Sequence, residues 1–413
     1  MPRKDSGEVS LEQALWFPMR LEPFCDTWLQ LKKTATAIKF PKTYADKDHV
    51  QPRYSPMIST GRIACERPAL QQLPKTYRDG ILPPTPGHVW IKADYGQLEL
   101  VTLAAHCERA YGYSELGETI RAGKDVHCVT GAAACGVSYE TFCSWATSDD
   151  AERVDRYKRT RSACKAVNFS VGGGAGAKRL AIAARKWGLD LTVAKADMLR
   201  TIFFESFPEV EEHVQQDIVA VIAANLGCSG GEVEEYLGDS YQLAFFGDDL
   251  DDETDSFDED QFEEIRDTLL YLCQRDRIAD QIRELSPGAK LKRLVTGEPM
   301  ACYAGFARQR LYYTERCNNP FQALAALAAK SALYRVWRRH RAIAFIHDEI
   351  CVEAKLHQAK RIAKSVCRLM AGALFEFCPT LPVKIEVGIG PNWRDSDTEL
   401  VFRFSPPGVG ADR

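Results

Sequence analysis

Three side chains of this sequence, spaced four residues apart, could bind a phosphorylated ligand. Arg161, Lys165 and Phe169 stand at positions i, i+4 and i+8 of a stretch with helical periodicity. In a helix they would share one face within about an 80° arc and span about 12 Å along the axis. A guanidinium and an ammonium can hold phosphate oxygens, and a ring can stack on a base. The spacing suits a nucleoside triphosphate, although a solvated amphipathic face is the simpler interpretation of this segment alone.

Two aspartates stand where strands are predicted to end or turn. The run His88–Asp94 predicts a short buried strand with a carboxylate at its end. Asp348 lies between two β-rich runs, which predicts a tight hairpin with acids at its turn. An aspartate after a strand is a usual metal ligand or catalytic acid, and equally a usual helix N-cap. If the strands share one sheet, the pair could hold two divalent cations for a phosphoryl transfer.

The remaining pattern predicts a mixture of helices and strands around these motifs. In chain order the first predicted elements are a polar surface loop at 59–74, a helix from near Gln97 and a mainly helical block at 119–225. Within that block, glycines 172–174 end the central helix. There follow an Ala-rich helix at 323–337, an amphipathic helix at 358–377, a strand at 383–390 and a polar tail.

The composition is that of a globular protein. Hydrophobic residues make up 45% and charged residues 27% of the 413 residues, which argues against wholesale disorder. The 14 cysteines are scattered singly without a zinc spacing, which predicts reduced thiols. With no signal-like start and no apolar run of ~20 residues, we expect an intracellular, cytoplasmic protein, in the host cytoplasm if the source is viral.

Charge is unevenly distributed along the chain. The formal net charge is −4, but the segment 248–264 holds eleven acidic residues and no basic one. We interpret it as a solvated loop within an insertion near 227–297, because the spacing of a calcium-binding EF-hand is absent. Outside that segment the chain is mildly basic, so the total charge is a poor guide to its partners.

Several segments together resemble one known family. The segment Asp94–Leu100 (DYGQLEL) resembles motif A of the family A DNA polymerases, the bacterial DNA polymerase I type. The segment Arg161–Phe169, with the spacing R-x3-K-x2-N-F, resembles motif B, and His347–Glu349 resembles motif C. Lesser segments follow in the order of the family: 60–74, 124–127, 207–208, 318–322 and 387–393. The resemblance covers residues 59–393 and suggests a phage or plasmid-like member with a reduced N-terminal region.

The resemblance implies an α+β fold, a right-hand polymerase with an antiparallel palm sheet, helical fingers and a thumb that is reduced or absent. The expected domains are an N-terminal segment or thumb remnant at 1–58, a first palm part at 59–118, fingers with the acidic insertion at 119–297, and a second palm part at 298–413.

The implied activity is template-directed DNA synthesis. The enzyme would add deoxynucleotides to a primer 3′ end by two-metal phosphoryl transfer, without its own 3′–5′ exonuclease. Its cofactors would be two Mg²⁺ ions, with Mn²⁺ as a substitute. Its partners would be primer–template DNA, dNTPs and a second polypeptide that supplies a thumb, an exonuclease or processivity and docks near Trp28–Phe40. No membrane is expected to take part.

The resemblance also implies roles for individual residues. The catalytic residues would be Asp94, Asp348, Lys165 and Glu349. The metal ligands would be Asp94, Asp348 and the backbone carbonyl of Tyr95. The nucleotide-binding residues would be Arg161, Lys165, Phe169, Glu99, Gln97 and His127, with Glu99 blocking a 2′-hydroxyl. The DNA-binding residues would be Arg62, Gln71, Gln72, Asn168, Gly173, Gln322 and His347.

Departures from the family pattern leave alternatives open. The family usually has tyrosine where Gly173 stands, and only about 60 residues precede Arg62, too few for a full thumb. A fragment active only with a second chain fits all the motifs. A single-subunit RNA polymerase would not be expected to carry Glu99 or a His-Asp-Glu motif. A catalytically dead relative would have lost Asp94, Asp348 or Lys165.

Overall fold

The protein is described here by a computed structural model. The described residues are 48–215 and 313–407, apart from 56–60, 74, 187–188 and 190, together with 27, 28, 31, 34, 35 and 38. The acidic run at 248–264, the insertion expected at 227–297 and most of segment 1–58 lie outside the described residues. No helix within the described ranges is long and apolar enough to cross a membrane.

The described chain contains strands at both ends of a helical block. The strands are β1 (Arg53–Ser55), β2 (Ala64–Glu66), β3 (His88–Tyr95), β4 (Ala342–Ile346), β5 (Glu349–Lys355), β6 (Val383–Gly390) and β7 (Thr398–Phe404). The α-helices are α1 (Leu98–Tyr111), α2 (Glu115–Arg121), α3 (Val126–Cys135), α4 (Tyr139–Ser144), α5 (Ala151–Val171), α6 (Ala177–Lys186), α7 (Val193–Ser206), α8 (Pro208–Gln215), α9 (Tyr313–Trp337) and α10 (Leu356–Phe375).

Five of the strands form one antiparallel sheet with β3 at its centre. The strand order is β4-β5-β3-β6-β7, while β1 and β2 pair separately. Successive residues of a strand face opposite sides. Ile91, Ala93 and Tyr95 of β3 therefore belong to the main core under the helices, whereas Trp90 belongs to a smaller layer with Trp393 on the other face.

Two helices cover the main face of the sheet. The apolar stripe of α10 is buried at 3–4-residue spacing, at Ala359, Ala363, Val366, Met370 and Leu374. Helix α9 packs beside α10 through buried alanines, whose short side chains let helix axes approach closely. The hydroxyl of Tyr95 donates to the carbonyl of Met370 at 2.6 Å, which ties the end of β3 to α10.

The opposite face of the sheet holds the turn that follows β6. The ammonium of Lys92 on β3 donates to the carbonyls of Trp393, Arg394 and Asp395 at 3.0, 3.1 and 3.3 Å. The ring of Trp393 stacks on Trp90 with centroids 6.0 Å apart. Burial lowers the pKa of Lys92, which nearby Glu349 partly offsets. These contacts attach the turn at 391–395 to the central strand.

The helical block from α2 to α8 joins the sheet through α1. Glu209 at the start of α8 is fully buried, and its carboxylate accepts from Ser114 Oγ at 2.8 Å and from the Leu116 amide at 2.9 Å. The ring of Phe142 on α4 lies against Gly131 of α3, where a Cβ would come within 2.7 Å of the ring. Glycine at 131 is therefore what allows α3 and α4 to pack.

The structure confirms the α+β class, with an antiparallel sheet and a helical block. It also confirms the strand at 88–94, the hairpin around Asp348 and the end of a long helix at Gly172. Helix α9, however, begins at Tyr313 instead of 323 and incorporates Pro320, which the sequence pattern suggested as a boundary. The segment predicted as a polar tail contains β7, and the loop predicted at 59–74 contains β2.

Candidate active site

A cleft of about 990 Å³ is lined by residues of the sheet, of α3 and α5 and of α9. It brings together residues that are far apart in sequence. Those among them to which the sequence assigned a role are Arg62, Asp94, Tyr95, Gln97, Glu99, His127, Arg161, Lys165, Phe169, His347 and Asp348.

Asp94 and Asp348 stand at the same end of neighbouring strands. Asp94 is the penultimate residue of β3, and Asp348 lies in the two-residue turn between β4 and β5. The register pairs Ala93 with Ile350, which places the turn beside the end of β3. His347, the first turn residue, has a left-handed φ of 59°. That conformation is uncommon outside glycine and suits tight hairpin turns.

The acidic groups of the site repel one another. Burial raises the pKa of Asp94 to about 8, and the charges of Asp348, Glu349 and Glu386 add to the rise. Burial is also the main cause that raises the pKa of Asp348 to about 6. Two largely buried carboxyls with raised pKa values are a natural place for a positive charge, which would stabilise both carboxylates.

The oxygen donors at this end of the sheet fit a hard divalent cation. Asp94, Asp348 and Tyr95 all line the cleft, and Mg²⁺ prefers carboxylate, carbonyl and water oxygens. The hydroxyl of Tyr95 donates to the carbonyl of Met370 on α10. Within the described ranges no three acid, imidazole or thiol side chains converge on one point. A cation here would therefore complete its coordination with water or substrate oxygens.

The loop after Asp94 is held in one conformation. Gln97 precedes α1 with a left-handed φ of 60°. Such a conformation costs a non-glycine residue on the order of 1–3 kcal/mol and persists where the surroundings enforce it. The amide of Gly96 donates to the carbonyl of Lys384 on β6 at 2.8 Å, which supplies part of that enforcement. The sheet therefore fixes the path of residues 95–97 along the cleft.

Arg62 and Glu99 form an ion pair at the edge of the cleft. Guanidinium Nη2 contacts carboxylate Oε1, and the side chains are 38% and 25% exposed. The sequence assigned these residues separately, Arg62 to the DNA and Glu99 to the sugar of the nucleotide. In the structure the two side chains form an ion pair, so a ligand that contacts one of them also lies next to the other.

Helix α5 presents its cationic face to the cleft, with Arg161 held by a carboxylate. Its Nη2 and Nε donate to Asp125 Oδ2 at 2.6 and 3.3 Å, while Oδ1 of the same residue caps α3. Burial acts to raise the pKa of Asp125, but the hydrogen bonds from Arg161 outweigh it and the pKa is lowered. One turn later, the ammonium of Lys165 lies 5.8 Å from the centroid of the Phe169 ring.

Asn168 faces the protein interior, which does not fit the direct contact with DNA that the sequence predicts. Asn168 and His127 are each 1% exposed. The amide nitrogen of Asn168 lies 3.0 Å from Thr130 Oγ1 and 3.2 Å from His127 Nδ1. Burial lowers the pKa of His127 to about 4, so its ring is neutral near pH 7. Asn168 therefore orients a residue of the cleft instead of facing the cleft itself.

Gly173 is also buried, which does not fit direct contact with DNA. A Cβ at this position would overlap the side-chain amide of Asn318. Asn318 Nδ2 donates to the Gly173 carbonyl at 3.4 Å, and Gln322 Nε2 donates to Asn318 Oδ1 at 3.1 Å. The space of a side chain at 173 is thus filled from α9, and a tyrosine there would require Asn318 to move.

Four further assigned residues lie outside the lining of the cleft. Glu349 Oε1 accepts from Trp393 Nε1 at 3.1 Å, which anchors this carboxylate to the smaller layer, and its charge also acts on Asp94. Gln71 Nε2 donates to the Ile63 carbonyl at 3.0 Å, and Gln72 is exposed. Gln322 is bonded to Asn318, as described above. The assigned roles of these four stay predictions.

The cleft also contains charged residues that sequence reasoning missed. They are Arg121, Lys124, Asp125, Lys384, Glu386 and Arg403. Glu386 stands directly across from Asp94 in the β3–β6 register, and its carboxylate pairs with Lys384 at 2.5 Å. The alternation of buried and exposed residues along β6 is a signal that could have placed Lys384 and Glu386 on one face.

Comparison with known proteins finds one family to which the chain is similar. The sequence model of DNA polymerase family A matches residues 25–226. DNA polymerase I of Deinococcus radiodurans is 25% identical over 350 residues, covering 82% of this chain and 27% of the relative. The thermostable DNA polymerase I of Thermus aquaticus is 24% identical over 410 residues, covering 94% of this chain and 38% of the relative. These matches support a relationship to DNA polymerase family A, with the family model matching residues 25–226.

A similar fold is seen in a solved structure. The POL domain of Pol1 from M. smegmatis, in complex with DNA primer-template and dNTP, superposes with a TM-score of 0.56 at 17% identity. The superposition covers 96% of this chain and 59% of that one. The likeness supports a palm-and-fingers α+β fold. The chain spans about a quarter to two-fifths of the length of the two curated relatives named above.

Proposed function

We propose that this chain is a DNA-directed DNA polymerase that adds deoxynucleotides to the 3′ end of a primer. One observation carries the proposal: Asp94 and Asp348 meet in the same cleft as Arg161, Lys165 and Phe169. Carboxylates for cations, cations for phosphates and a ring for a base are the parts that template-directed phosphoryl transfer requires. In this proposal the sheet with α9 and α10 is the palm and α2 to α8 belong to the fingers, with the boundaries at 118 and 297 expected from the sequence.

The side chains of the cleft would bind and orient the nucleotide. Arg161, Lys165 and His127 would bind the triphosphate, and Phe169 would pack on the sugar and base. The primer 3′-oxygen would then bond to the α-phosphorus while the bond to the β-phosphate oxygen breaks and pyrophosphate leaves. Catalysis of this kind consists largely of positioning and electrostatic stabilisation.

Asp94, Asp348 and the carbonyl of Tyr95 would hold two Mg²⁺ ions, or Mn²⁺ in their place. When bound, such ions make the attacking oxygen a better nucleophile and neutralise charge on the phosphates. The chain's contribution is the pair of carboxylates at the ends of β3 and the β4–β5 hairpin. Arg62, Gln322 and His347 would contact the primer–template near the primer end.

Primer extension by the purified chain tests the proposal directly. A labelled primer on a longer template, with all four dNTPs and Mg²⁺, should be extended in the order that the template dictates, and chelation of the divalent ions should stop extension. The proposal assigns no 3′–5′ exonuclease to this chain, so a mismatched primer without dNTPs should stay intact. Absence of any extension with either Mg²⁺ or Mn²⁺, alone or with candidate partner chains, would contradict the assignment.

The choice of sugar separates a DNA polymerase from an RNA polymerase. We expect Glu99→Ala to raise the ratio of ribonucleotide kcat/KM to deoxyribonucleotide kcat/KM by about 10- to 200-fold. Steric exclusion of one small group usually changes the discrimination between two substrates by about that factor. Arg62→Ala is the matched control, because it breaks the same ion pair and leaves the carboxylate in place. If the unmutated chain already prefers ribonucleotides, the RNA polymerase alternative is favoured.

We also propose that a second polypeptide assists this chain on DNA. Support comes from Trp28, Leu31 and Ile38, which share one helical face by spacing and are 39%, 58% and 52% exposed. Exposed apolar side chains that are grouped on one face are typical of a surface that a partner covers. The partner would add duplex contacts in the role of a thumb, an exonuclease or a processivity subunit.

If a second polypeptide assists the chain, the chain alone should have low processivity and a DNA affinity that depends steeply on salt. Alone, the chain should extend primers by few nucleotides per encounter and lose DNA affinity steeply as salt rises, because phosphate contacts dominate affinity. Leu31→Asp should leave this basal extension unchanged and prevent stimulation by the partner. A monomeric mass in material isolated from the native source, together with long products at physiological salt, would rule the partner out.

A further inference from the structure

A chain of buried hydrogen bonds leads from α3 through Asn168 to His127. At its far end, Thr130 Oγ1 donates to the Val126 carbonyl at 3.2 Å. The hydroxyl proton of Thr130 is thereby used, so Oγ1 accepts from Asn168 Nδ2 at 3.0 Å. In this orientation the nitrogen of the Asn168 amide points towards α3, while its oxygen Oδ1 is buried without a hydrogen-bond partner among the described residues.

The second hydrogen of the same amide nitrogen determines the tautomer of His127. Asn168 Nδ2 lies 3.2 Å from His127 Nδ1. An amide nitrogen only donates, so Nδ1 must accept and carries no proton. The ring is neutral near pH 7 because burial lowers its pKa to about 4. The single ring proton is therefore on Nε2.

That Nε2–H group is buried and has no hydrogen-bond partner among the described residues, and it belongs to a residue that lines the cleft. His127 lines the cleft together with Arg161 and Lys165, whose charges act on its ring. An N–H donor beside two cations suits an anionic oxygen, whereas a bare nitrogen lone pair there would repel it.

We propose that Asn168 is a positioning residue that holds His127 as its Nε2–H tautomer, so that the imidazole donates a hydrogen bond to a phosphate oxygen of the nucleoside triphosphate. The inference rests on the function proposed above and adds a role for a residue that touches no substrate. Helix α5 thus supplies two phosphate-binding cations, and through Asn168 it also determines which ring nitrogen of His127 on α3 carries the proton.

The tautomer can be measured directly on the unmutated protein. In protein labelled with ¹⁵N-histidine, the two ring nitrogens of His127 should show a protonated Nε2 and a bare Nδ1 near pH 7, with the signals assigned by their loss in His127→Gln. In Asn168→Asp the carboxylate accepts from the ring, so the proton should move to Nδ1 and the pKa of His127 should rise. A proton on Nδ1 in the unmutated chain would overturn the proposal, whether or not any variant folds.

Kinetics of Asn168→Asp should show a pH signature that a purely structural role would not produce. Below its raised pKa, the imidazolium of the variant still offers a proton at Nε2. Above that pKa, Nε2 is bare and faces the phosphate. The ratio of variant to unmutated KM for dNTP should therefore rise about tenfold with pH, the loss of roughly one charge-assisted hydrogen bond, while kcat changes little.

Two controls make the kinetic test specific. In a His127→Gln background, Asn168→Asp should cause no further pH-dependent rise in KM, because the group it acts through is gone. Asn392→Asp, in a turn outside the cleft, should leave the KM ratio flat with pH. A flat ratio for Asn168→Asp itself, or an equal effect in both backgrounds, would contradict the positioning role. If the unmutated chain extends no primer, the proposed function fails, while the NMR result still decides the tautomer.

Discussion

Replacing Asp94 or Asp348 by asparagine should abolish primer extension while leaving the fold intact. Each change keeps the size of the side chain and removes a negative charge that would hold a divalent cation in the cleft. Charge stabilisation by such cations is worth several kcal/mol, so we expect kcat to fall by about 1,000-fold or more. Single-turnover extension of a labelled primer at saturating dNTP measures this loss without interference from DNA release.

The structure supplies a control for folding as well as one for chemistry. In the absence of divalent ions, each variant should melt no lower than the unmutated chain, since the pKa of Asp94 is raised by burial and by Asp348. Asp397→Asn, an exposed aspartate outside the cleft, should extend primers normally. Near-normal extension by both Asp94→Asn and Asp348→Asn would contradict the polymerase assignment, and a collapse of the melting temperature would assign the aspartates a structural role instead.

The parts of the site that were predictable from sequence are those encoded locally. Arg161, Lys165 and Phe169 share a face because helical spacing alone puts them there, and the structure confirms a helix over 151–171. Asp94 and Asp348 were recognisable at the end of a strand and in a hairpin turn. Their meeting in one cleft depends on β3 pairing with β5, a register that no local pattern specifies.

The contacts between distant segments were not predictable in the same way. The ion pairs Arg62–Glu99 and Arg161–Asp125 each join side chains about 36–37 positions apart, and Glu386 reaches Asp94 only through the β3–β6 register. Asn168 belongs to a motif whose match suggested DNA contact, yet its helical position turns it inward. Motif resemblance names residue types at a site, whereas burial decides which of them reach a ligand.

Errors in the fold came from competing local signals. Pro320 lacks an amide hydrogen and normally marks a helix boundary, but α9 continues through it from Tyr313 to Trp337. The sequence predicts the segment 398–404 only as part of a polar tail, yet it is a strand whose alternating exposure follows from pairing with β6 along seven residues. In both places tertiary packing outweighed a local preference.

Lys165→Ala should lower kcat/KM for dNTP by about 100- to 1,000-fold, the usual loss when one group that stabilises transition-state charge is removed. Of the two cations on the α5 face, Arg161 is partly neutralised by Asp125. Lys165 makes no ion pair with a carboxylate among the described residues. Its full charge is therefore available to the phosphates, and we expect its removal to cost more than Arg161→Ala. Steady-state kinetics with each dNTP on a fixed primer–template measures both variants.

Affinity for DNA distinguishes a nucleotide-binding lysine from a general electrostatic contact. If Lys165 acts on the triphosphate, the Kd for primer–template in the absence of dNTP should change less than about threefold, and its salt dependence should stay the same, because the lysine neutralises no phosphate of the DNA. Lys158→Ala is the matched control, because Lys158 is an exposed lysine two turns earlier on the same helix and outside the cleft lining. Its kcat/KM should stay within about twofold of the unmutated value, as for most exposed surface changes. Equal losses in the two lysine variants, or a loss that appears only as weaker DNA binding, would mean that α5 attracts nucleic acid without orienting the nucleotide.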